Sequence, residues 1–160
     1  MTIKVGDRVP SGTFTVMSGE GPKPMTSDEL FKGKKVVFFA VPGAFTPTCH
    51  KNHLPGFIKN AAAIKAKGVD TIAVTGVNDV FVMDAWKKQS GGDAIEFLAD
   101  GSGAWAKAMG LSLDLSERGL GLRSQRYAML VEDGVVKALN IEEGPGKAEI
   151  SGADNLLKSL

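Results

Sequence analysis

The residue of this chain best suited to chemistry is Cys49, the only cysteine among 160 residues. It follows an apolar run that ends at Val41 and a Pro-Gly turn. Thr46 is then a suitable helix N-cap, Pro47 suits the first helical position, and Cys49 falls at the third. A thiol there faces unpaired backbone N–H groups and the positive end of the helix dipole, which both favour the thiolate. The pattern predicts a reactive sulfur.

A cysteine at this position could also be a small buried hydrophobe or one half of a dithiol pair. A free cysteine is often a small buried hydrophobe, but the neighbours Thr48, His50 and Lys51 are polar. The tetrad that would match a dithiol motif reads Thr46-Pro47-Thr48-Cys49, with a hydroxyl in place of the first thiol. Disulfide exchange within the motif is therefore excluded, and a reaction of one thiol is required.

The two histidines, His50 and His53, raise the question of a metal site or a hydrolase. Cys49 and His53 have a spacing that could supply two metal ligands, but a zinc site needs three or four. We expect no metal and no cofactor. A Cys-His hydrolase is also disfavoured, because His50 follows the thiol directly and no later histidine offers a base. We expect His53 to be a hydrogen-bonded neighbour.

Composition excludes several classes of function. Apolar residues make up 43% of the chain, charged residues 23%, and the net charge is +1, which gives no support for nucleic-acid binding or a membrane surface. No apolar stretch approaches the ~20 residues of a membrane span. The beginning of the chain lacks the apolar core of a secretion signal, and a single cysteine suits a reducing compartment. We expect residues 1–160 to form one cytoplasmic domain.

Hydrophobic patterns predict strands and helices in alternation. The strands are expected at 13–17, 35–41, 69–77, 95–99, 127–132 and 135–141. The last two flank Asp133-Gly134, a hairpin signal. Residues 11–34, rich in Gly, Pro and Lys around the first of these strands, suggest an opening hairpin and loop. Helices are expected from 46 to about 67, from 79 to about 89, at 102–109 and at 153–160. This order predicts an α/β fold in which helices flank a mixed central β-sheet, resembling the thioredoxin fold.

Two of these helices have distinctive residues. The first contains Pro55-Gly56, which should kink it because proline removes one backbone hydrogen bond and crowds the preceding turn. The second has Asn78 or Asp79 as its N-cap. Four apolar residues are predicted on the inner side of the second helix: Phe81, Val82, Ala85 and Trp86.

The segment Pro42-x-x-x-Thr46-x-x-Cys49 resembles the active-site signature of the peroxiredoxins. Three further segments resemble the type II (atypical, peroxiredoxin-5-like) branch: residues 49–57, 77–83 and 123–134. The resemblance covers almost the whole chain and implies a thioredoxin-like fold and peroxidase activity. It also implies that Cys49 is the peroxidatic thiol and that Pro42, Thr46 and Arg126 complete the site. Sequence alone does not separate Arg126 from Arg123, and the resemblance favours Arg126.

This chain differs from many members of the family in one respect: it lacks a second, resolving cysteine. Some relatives have it near the segment Val74-Thr75-Gly76. An external thiol must then reduce the oxidised enzyme, either glutaredoxin with glutathione or thioredoxin. Type II relatives also suggest a homodimer, for which we consider an apolar face of four residues: Phe45, Val80, Phe81 and Met83. The alternative to an enzyme is a peroxide sensor in which oxidation of Cys49 changes the binding of a partner.

Overall fold

The computed structural model describes residues 2–144 and 148–160, with the side chain of Cys49 outside the described part. It confirms the expected α/β, thioredoxin-like class: helices lie on both faces of a mixed sheet. The strands are β1 Thr13–Ser18, β2 Gly21–Thr26, β3 Lys35–Ala40, β4 Thr71–Gly76, β5 Glu96–Ala99, β6 Ser112–Leu115, β7 Gly121–Ser124, β8 Tyr127–Glu132 and β9 Val135–Ile141. The α-helices are α1 Ser27–Phe31, α2 Leu54–Lys59, α3 Ala61–Ala66, α4 Val80–Ser90, α5 Ala104–Met109 and α6 Ala153–Leu157.

Seven of the strands form the central sheet, in the order β2-β1-β5-β4-β3-β8-β9. Strands β3, β4 and β5 are parallel, whereas β1 and β8 run antiparallel to their neighbours on either side. The carboxyl ends of the parallel strands meet at one edge of the sheet, where open α/β sheets bind their ligands.

Strand β3 lies at the centre because both of its faces are apolar. Alternate side chains of a strand point to opposite faces. Val36 and Phe38 therefore enter a core with the helices α1 and α5, while Val37 and Phe39 enter a second core with α2, α3, α4 and α6. A strand buried on both faces reads as a continuous apolar run, which explains why the sequence identified it.

The helix after the Pro-Gly turn is distorted earlier than predicted. Its first turn begins at Pro47 and widens into a π-helical turn over Cys49–His53 before α2 begins. Pro55 lies in the first turn of α2, where it lacks the N–H that would bond to the carbonyl four residues before it. The proline thus widens the turn that precedes it. A second interruption, at Asn60, separates α2 from α3.

The prediction for α4 was right about the cap and partly wrong about the inner side. Asp79 is the N-cap and accepts a 2.8 Å hydrogen bond from the backbone N–H of Val82. Trp86 is buried as expected, but Phe81 and Ala85 are exposed. The buried stripe instead follows a three-residue spacing through Val80, Met83 and Trp86.

The three hairpins of the described residues differ in how clearly the sequence indicates them. Asp133 and Gly134 have φ angles of 47° and 79°, so the turn between β8 and β9 has the left-handed conformation that this dipeptide predicts. The opening hairpin expected within residues 11–34 is confirmed as β1 and β2, whereas α1 and the β6–β7 hairpin were not predicted. Among the described residues, no helix has the length and apolar character needed to cross a membrane.

Candidate active site

The site lies where β3 ends, beside the beginning of β8. Ala40 of β3 is opposite Tyr127 of β8 in the antiparallel ladder. Arg126 immediately precedes Tyr127 and therefore lies level with the turn at Pro42. Sheet register thus brings together two candidate site residues that are 84 positions apart in the numbering.

Thr46 caps the helix that contains Cys49. Its carbonyl accepts a 2.8 Å hydrogen bond from the His50 N–H, the first bond of the helix. Its hydroxyl lies 2.7 Å from the carbonyl oxygen of Gly43, which can only accept, so the hydroxyl hydrogen is used in that bond. The lone pairs of the hydroxyl oxygen can still accept a hydrogen bond. The backbone of Cys49 lies in the predicted first helical turn, and its side chain is outside the described residues.

A cavity of about 250 Å³ opens in front of this turn. Three of the four predicted site residues line it, namely Pro42, Thr46 and Arg126. The remaining lining residues are Pro47, Thr48, Leu115, Arg118 and Leu120. The last three come from the end of β6 and the segment that links it to β7, and the sequence did not identify them, because nothing in their spacing indicates that this part of the chain folds over the site.

Arg126 is 2% exposed, and a neutral histidine orients it. Its Nη1 lies 3.0 Å from Nδ1 of His53, and Nε2 of that histidine lies 2.9 Å from the carbonyl oxygen of Ser151. Since a carbonyl only accepts, Nε2 must hold the hydrogen, and Nδ1 accepts from the guanidinium. Burial, aided by the charge of Arg126, lowers the pKa of His53 to about 3.

This geometry confirms the expected hydrogen-bonded role of His53. Both ring nitrogens are engaged, Nδ1 by Arg126 and Nε2 by Ser151. A metal ion at His53 would have to displace one of these partners from a buried position. Within residues 2–144 and 148–160, no group of three or more potential metal-ligating side chains is found.

The competing arginine, Arg123, supports the loop and lies outside the lining of the cavity. Its Nε donates to the carbonyl oxygen of Leu120 at 2.8 Å, and its Nη1 donates to that of Pro42 at 3.3 Å. It therefore ties the β6–β7 segment to the Pro-Gly turn. This arrangement favours Arg126 as the residue that meets a substrate in the cavity.

Behind the loop, His50 turns away from the cavity towards α4. Its Nδ1 accepts a 3.1 Å hydrogen bond from the indole N–H of Trp86. The ring of Phe45 packs against that of His50 with centroids 5.7 Å apart. A base role for His50 in hydrolysis would require it to leave the indole.

The four residues considered for a dimer face separate into two groups. Phe45 and Phe81 are 40% and 64% exposed. Val80 and Met83 belong to the buried core beneath α4 and cannot form part of a surface. Any apolar face here is therefore smaller than the sequence suggested.

Comparisons with known proteins agree with one another. The model of the Redoxin family matches residues 4–157. Peroxiredoxin-2C of Oryza sativa subsp. japonica is 52% identical over 99% of this chain and 98% of that protein. Peroxiredoxin-2E-2, chloroplastic, of the same plant is 53% identical over 99% of this chain and 73% of that protein. The crystal structure of reduced Prx3 from Vibrio vulnificus in complex with hydrogen peroxide is 49% identical, with a TM-score of 0.94 and 99% of each chain covered.

Proposed function

This chain belongs to the Redoxin family and is a type II peroxiredoxin, a thiol-dependent peroxidase, and we propose that Cys49 is its single peroxidatic thiol. The observation that carries this proposal is the cavity shared by Pro42, Thr46 and Arg126 beside the first turn of the Cys49 helix. It gives the peroxide an apolar space with one buried cation and one oriented hydroxyl.

The proposed reaction has two stages. The Cys49 thiolate attacks one peroxide oxygen, the O–O bond breaks as the S–O bond forms, and the departing oxygen takes a proton to become water or an alcohol. The sulfur is then a sulfenic acid, oxidised by two electrons. An external thiol attacks the sulfenic acid and releases water, which gives a mixed disulfide with Cys49. A second thiol then attacks the sulfur of the first external thiol. The two external thiols leave as a disulfide, and Cys49 is a thiol again.

A lowered thiol pKa does not by itself make a fast peroxidase. With a free-thiol pKa near 8.5, about 3% is thiolate at pH 7, so complete ionisation gains about thirty-fold. If thiol–disulfide behaviour applies, lowering the pKa by ~3 units weakens the nucleophile about 15- to 30-fold at a Brønsted slope of ~0.4–0.5. The two effects nearly cancel. Most of the acceleration must therefore come from groups that act on the peroxide.

Arg126 and Thr46 are placed to act in that way. The guanidinium stabilises the thiolate and then the negative charge that develops on the departing oxygen, and such preorganised donors are worth about 10²–10³ in rate. The Thr46 hydroxyl already donates to Gly43, so towards a peroxide it is an acceptor. It can hold the O–H of the peroxide and align the O–O bond with the sulfur.

The remaining walls define the substrate class. Pro42 has no N–H to compete for the peroxide, and its rigid ring helps to exclude water. Leu115 and Leu120 extend the apolar wall, which suits the alkyl group of an organic hydroperoxide. Hydrogen peroxide also fits this proposal, since the Vibrio vulnificus relative was crystallised with it. We propose that both classes are substrates.

For the reductant, we propose glutaredoxin with glutathione or thioredoxin. Residues 1–160 contain one cysteine, so oxidised Cys49 cannot form a disulfide within the chain that a reductant would then reduce. A small thiol such as glutathione can enter the cavity and then be removed by glutaredoxin. A reducing compartment with a high thiol concentration, such as the cytoplasm, would support this cycle, although two of the relatives are named as chloroplastic.

We propose further that residues 1–160 act as one domain and that two copies associate. Exposed Phe45 and Phe81 support the association, because Phe45 lies beside Trp86 of α4, the helix that also presents Phe81. Sedimentation of Phe81→Asp against the unsubstituted chain checks the dimer. A monomer in both proteins would exclude it.

The test of the function is peroxide consumption by the purified chain and by Cys49→Ser, each with the glutaredoxin and the thioredoxin systems. We expect steady turnover by the unsubstituted chain with at least one system and none by the variant, whose melting temperature should stay close to that of the parent. Retained turnover in Cys49→Ser would overturn the proposal. Stoichiometric oxidation followed by slow recovery with every reductant would favour the peroxide sensor.

A further inference from the structure

A closed ring of hydrogen bonds joins Arg126 to the end of the chain. The carbonyl of Arg126 accepts from the Glu142 N–H at 2.9 Å, and a Glu142 carboxylate oxygen accepts from the Ser151 N–H at 2.9 Å and its hydroxyl at 2.6 Å. The Ser151 carbonyl accepts from His53, which in turn accepts from the Arg126 guanidinium. The ring thus begins at the backbone of Arg126 and returns to its side chain.

Every member of this ring is buried. Ser151, His53, Arg126 and Glu142 are between 0% and 6% exposed. Buried polar groups are costly unless they are bonded, so a ring in which each member bonds to the next favours one arrangement. Its members come from the π-helical turn, the start of β8, the end of β9 and the segment before α6. The packing of the C-terminal segment therefore determines where the active-site guanidinium points.

The order of groups in the ring also has an electrostatic consequence. A carboxylate bonded directly to a guanidinium would offset the positive charge that the thiolate and the peroxide need. Here Nη1 of Arg126 is bonded to a neutral imidazole, and the Glu142 carboxylate is linked to that imidazole through Ser151. The ring thereby orients the Arg126 guanidinium without placing a carboxylate of the ring directly on it.

We propose that Glu142 and Ser151 are positioning residues for the peroxidase reaction, acting on Arg126 through His53. This inference rests on the proposed function, because it assigns a task to the arginine of that site. It predicts that weakening the distal bonds slows the attack on peroxide even though Glu142 and Ser151 do not line the cavity in front of Thr46.

The test is a double-mutant cycle on the rate constant of the reduced protein with peroxide. Glu142→Gln removes the negative charge that accepts the two donors of Ser151 and places an amide NH2 against the backbone N–H of Ile150, which now donates to the second carboxylate oxygen, so it should slow the reaction about 10-fold. Ser151→Ala removes one of the two bonds to the carboxylate and should slow it about 3-fold. In a His53→Gln background both substitutions should have almost no further effect, because the relay is already broken.

Ser27→Ala is the matched control, since Ser27 is also buried and its hydroxyl oxygen accepts from the Gly12 N–H far from the site. Its rate constant should stay within about 2-fold of the parent. A merely structural role would give effects that multiply in the His53→Gln background, or rate constants that follow melting temperature alone, and either result overturns the inference. If Glu142→Gln does not fold, Ser151→Ala decides.

Failure of this inference differs from failure of the proposed function. If the unsubstituted chain reacts with peroxide no faster than free cysteine, the function itself is wrong. If the chain reacts fast, Cys49→Ser is inactive and the cycle shows independent effects, then only the positioning role is wrong.

Discussion

Arg126 and Tyr127 are adjacent in sequence but serve buried polar networks on opposite faces of the sheet. The Arg126 network contains a cation, a neutral histidine and a wall of the active-site cavity. On the other face, the Tyr127 hydroxyl accepts from the Trp105 indole N–H at 3.2 Å. Nearby, the Asp100 carboxylate accepts from the backbone N–H groups at the start of α5.

The two networks differ in what their polar groups are free to do. Burial raises the pKa of Asp100, and it raises that of Tyr127 well above its usual range, so the Tyr127 hydroxyl keeps its proton near neutral pH. The Asp100 carboxylate caps the start of α5, and the hydrogen bond between Trp105 and Tyr127 lies within the core. On the opposite face the bonds orient a charge towards an open space. A buried polar cluster thus indicates function only when part of it faces a cavity.

Separate substitutions of Arg126 and Tyr127 should distinguish the two networks most clearly. Arg126→Gln should lower the peroxide rate constant by about 10² or more, because it removes the cation that acts on the breaking O–O bond. Tyr127→Phe should change that rate constant by less than about 2-fold but lower the free energy of unfolding by about 1–3 kcal/mol, since it leaves the Trp105 N–H without its acceptor. Stopped-flow kinetics and urea unfolding on both variants measure the contrast. A large rate loss in Tyr127→Phe would abolish the distinction.

A second contrast concerns acid stability. The unfolded chain protonates His53 near pH 6.5, whereas in the fold its pKa is about 3. Because the unfolded state binds the proton first, His53 contributes stability above pH 6.5 that is lost as the pH falls towards 3, at up to about 1.4 kcal/mol per pH unit. Urea unfolding between pH 7.5 and pH 4.5 should therefore show a steeper loss for the parent than for His53→Gln. Parallel curves would contradict a neutral, buried His53.

The supporting arginine should have a smaller effect than Arg126. Arg123→Gln removes the bonds to the carbonyls of Leu120 and Pro42, which loosens the loop but leaves the cavity cation in place. We expect a loss of about 3- to 10-fold in the rate constant, the worth of one or two hydrogen bonds. If Arg123→Gln is slower than Arg126→Gln, the roles of the two arginines must be exchanged.

The smallest expected effect is on substrate preference. Leu120→Ala shortens the apolar wall of the cavity while retaining the carbonyl that Arg123 binds. The rate constant for cumene hydroperoxide should fall about 3- to 10-fold, and that for hydrogen peroxide should change by less than about 2-fold. Leu139→Ala is the matched control, because Leu139 is partly buried and packs against the core on the opposite face of the sheet. Equal losses with both peroxides would exclude the wall as a determinant of preference.

The sequence predicted those parts of the fold that depend on local signals. Continuous apolar runs identified β3 and β4, Asp133-Gly134 identified the β8–β9 turn, and Thr46-Pro47 identified the start of the Cys49 helix. It indicated an opening hairpin but not the bounds of β2, an edge strand whose Pro and Lys residues do not form an apolar run. It also missed β6 and β7, whose sequence has no strong strand pattern and which cover the cavity from outside the central sheet.

For the site, residues near Cys49 were easier to identify than residues that meet them through tertiary structure. The local sequence predicted Thr46 as the N-cap of the Cys49 helix, and the resemblance to the peroxiredoxins added Pro42 from the same loop. It left Arg123 and Arg126 unresolved, since only the register of β8 against β3 decides which of them faces the cavity. Glu142 and Ser151 had no signal at all, because their link to His53 depends on how the end of the chain packs.

The peroxidatic role of Cys49 is tested most directly by a single turnover of the fully reduced chain with one equivalent of peroxide, monitored by stopped-flow kinetics and by intact-protein mass spectrometry. We expect a second-order rate constant far above that of free cysteine. We also expect the addition of one oxygen atom to the protein and, when dimedone is present, its capture on Cys49. A rate constant no greater than that of free cysteine, or oxygen found on a methionine with Cys49 unmodified, would contradict that role.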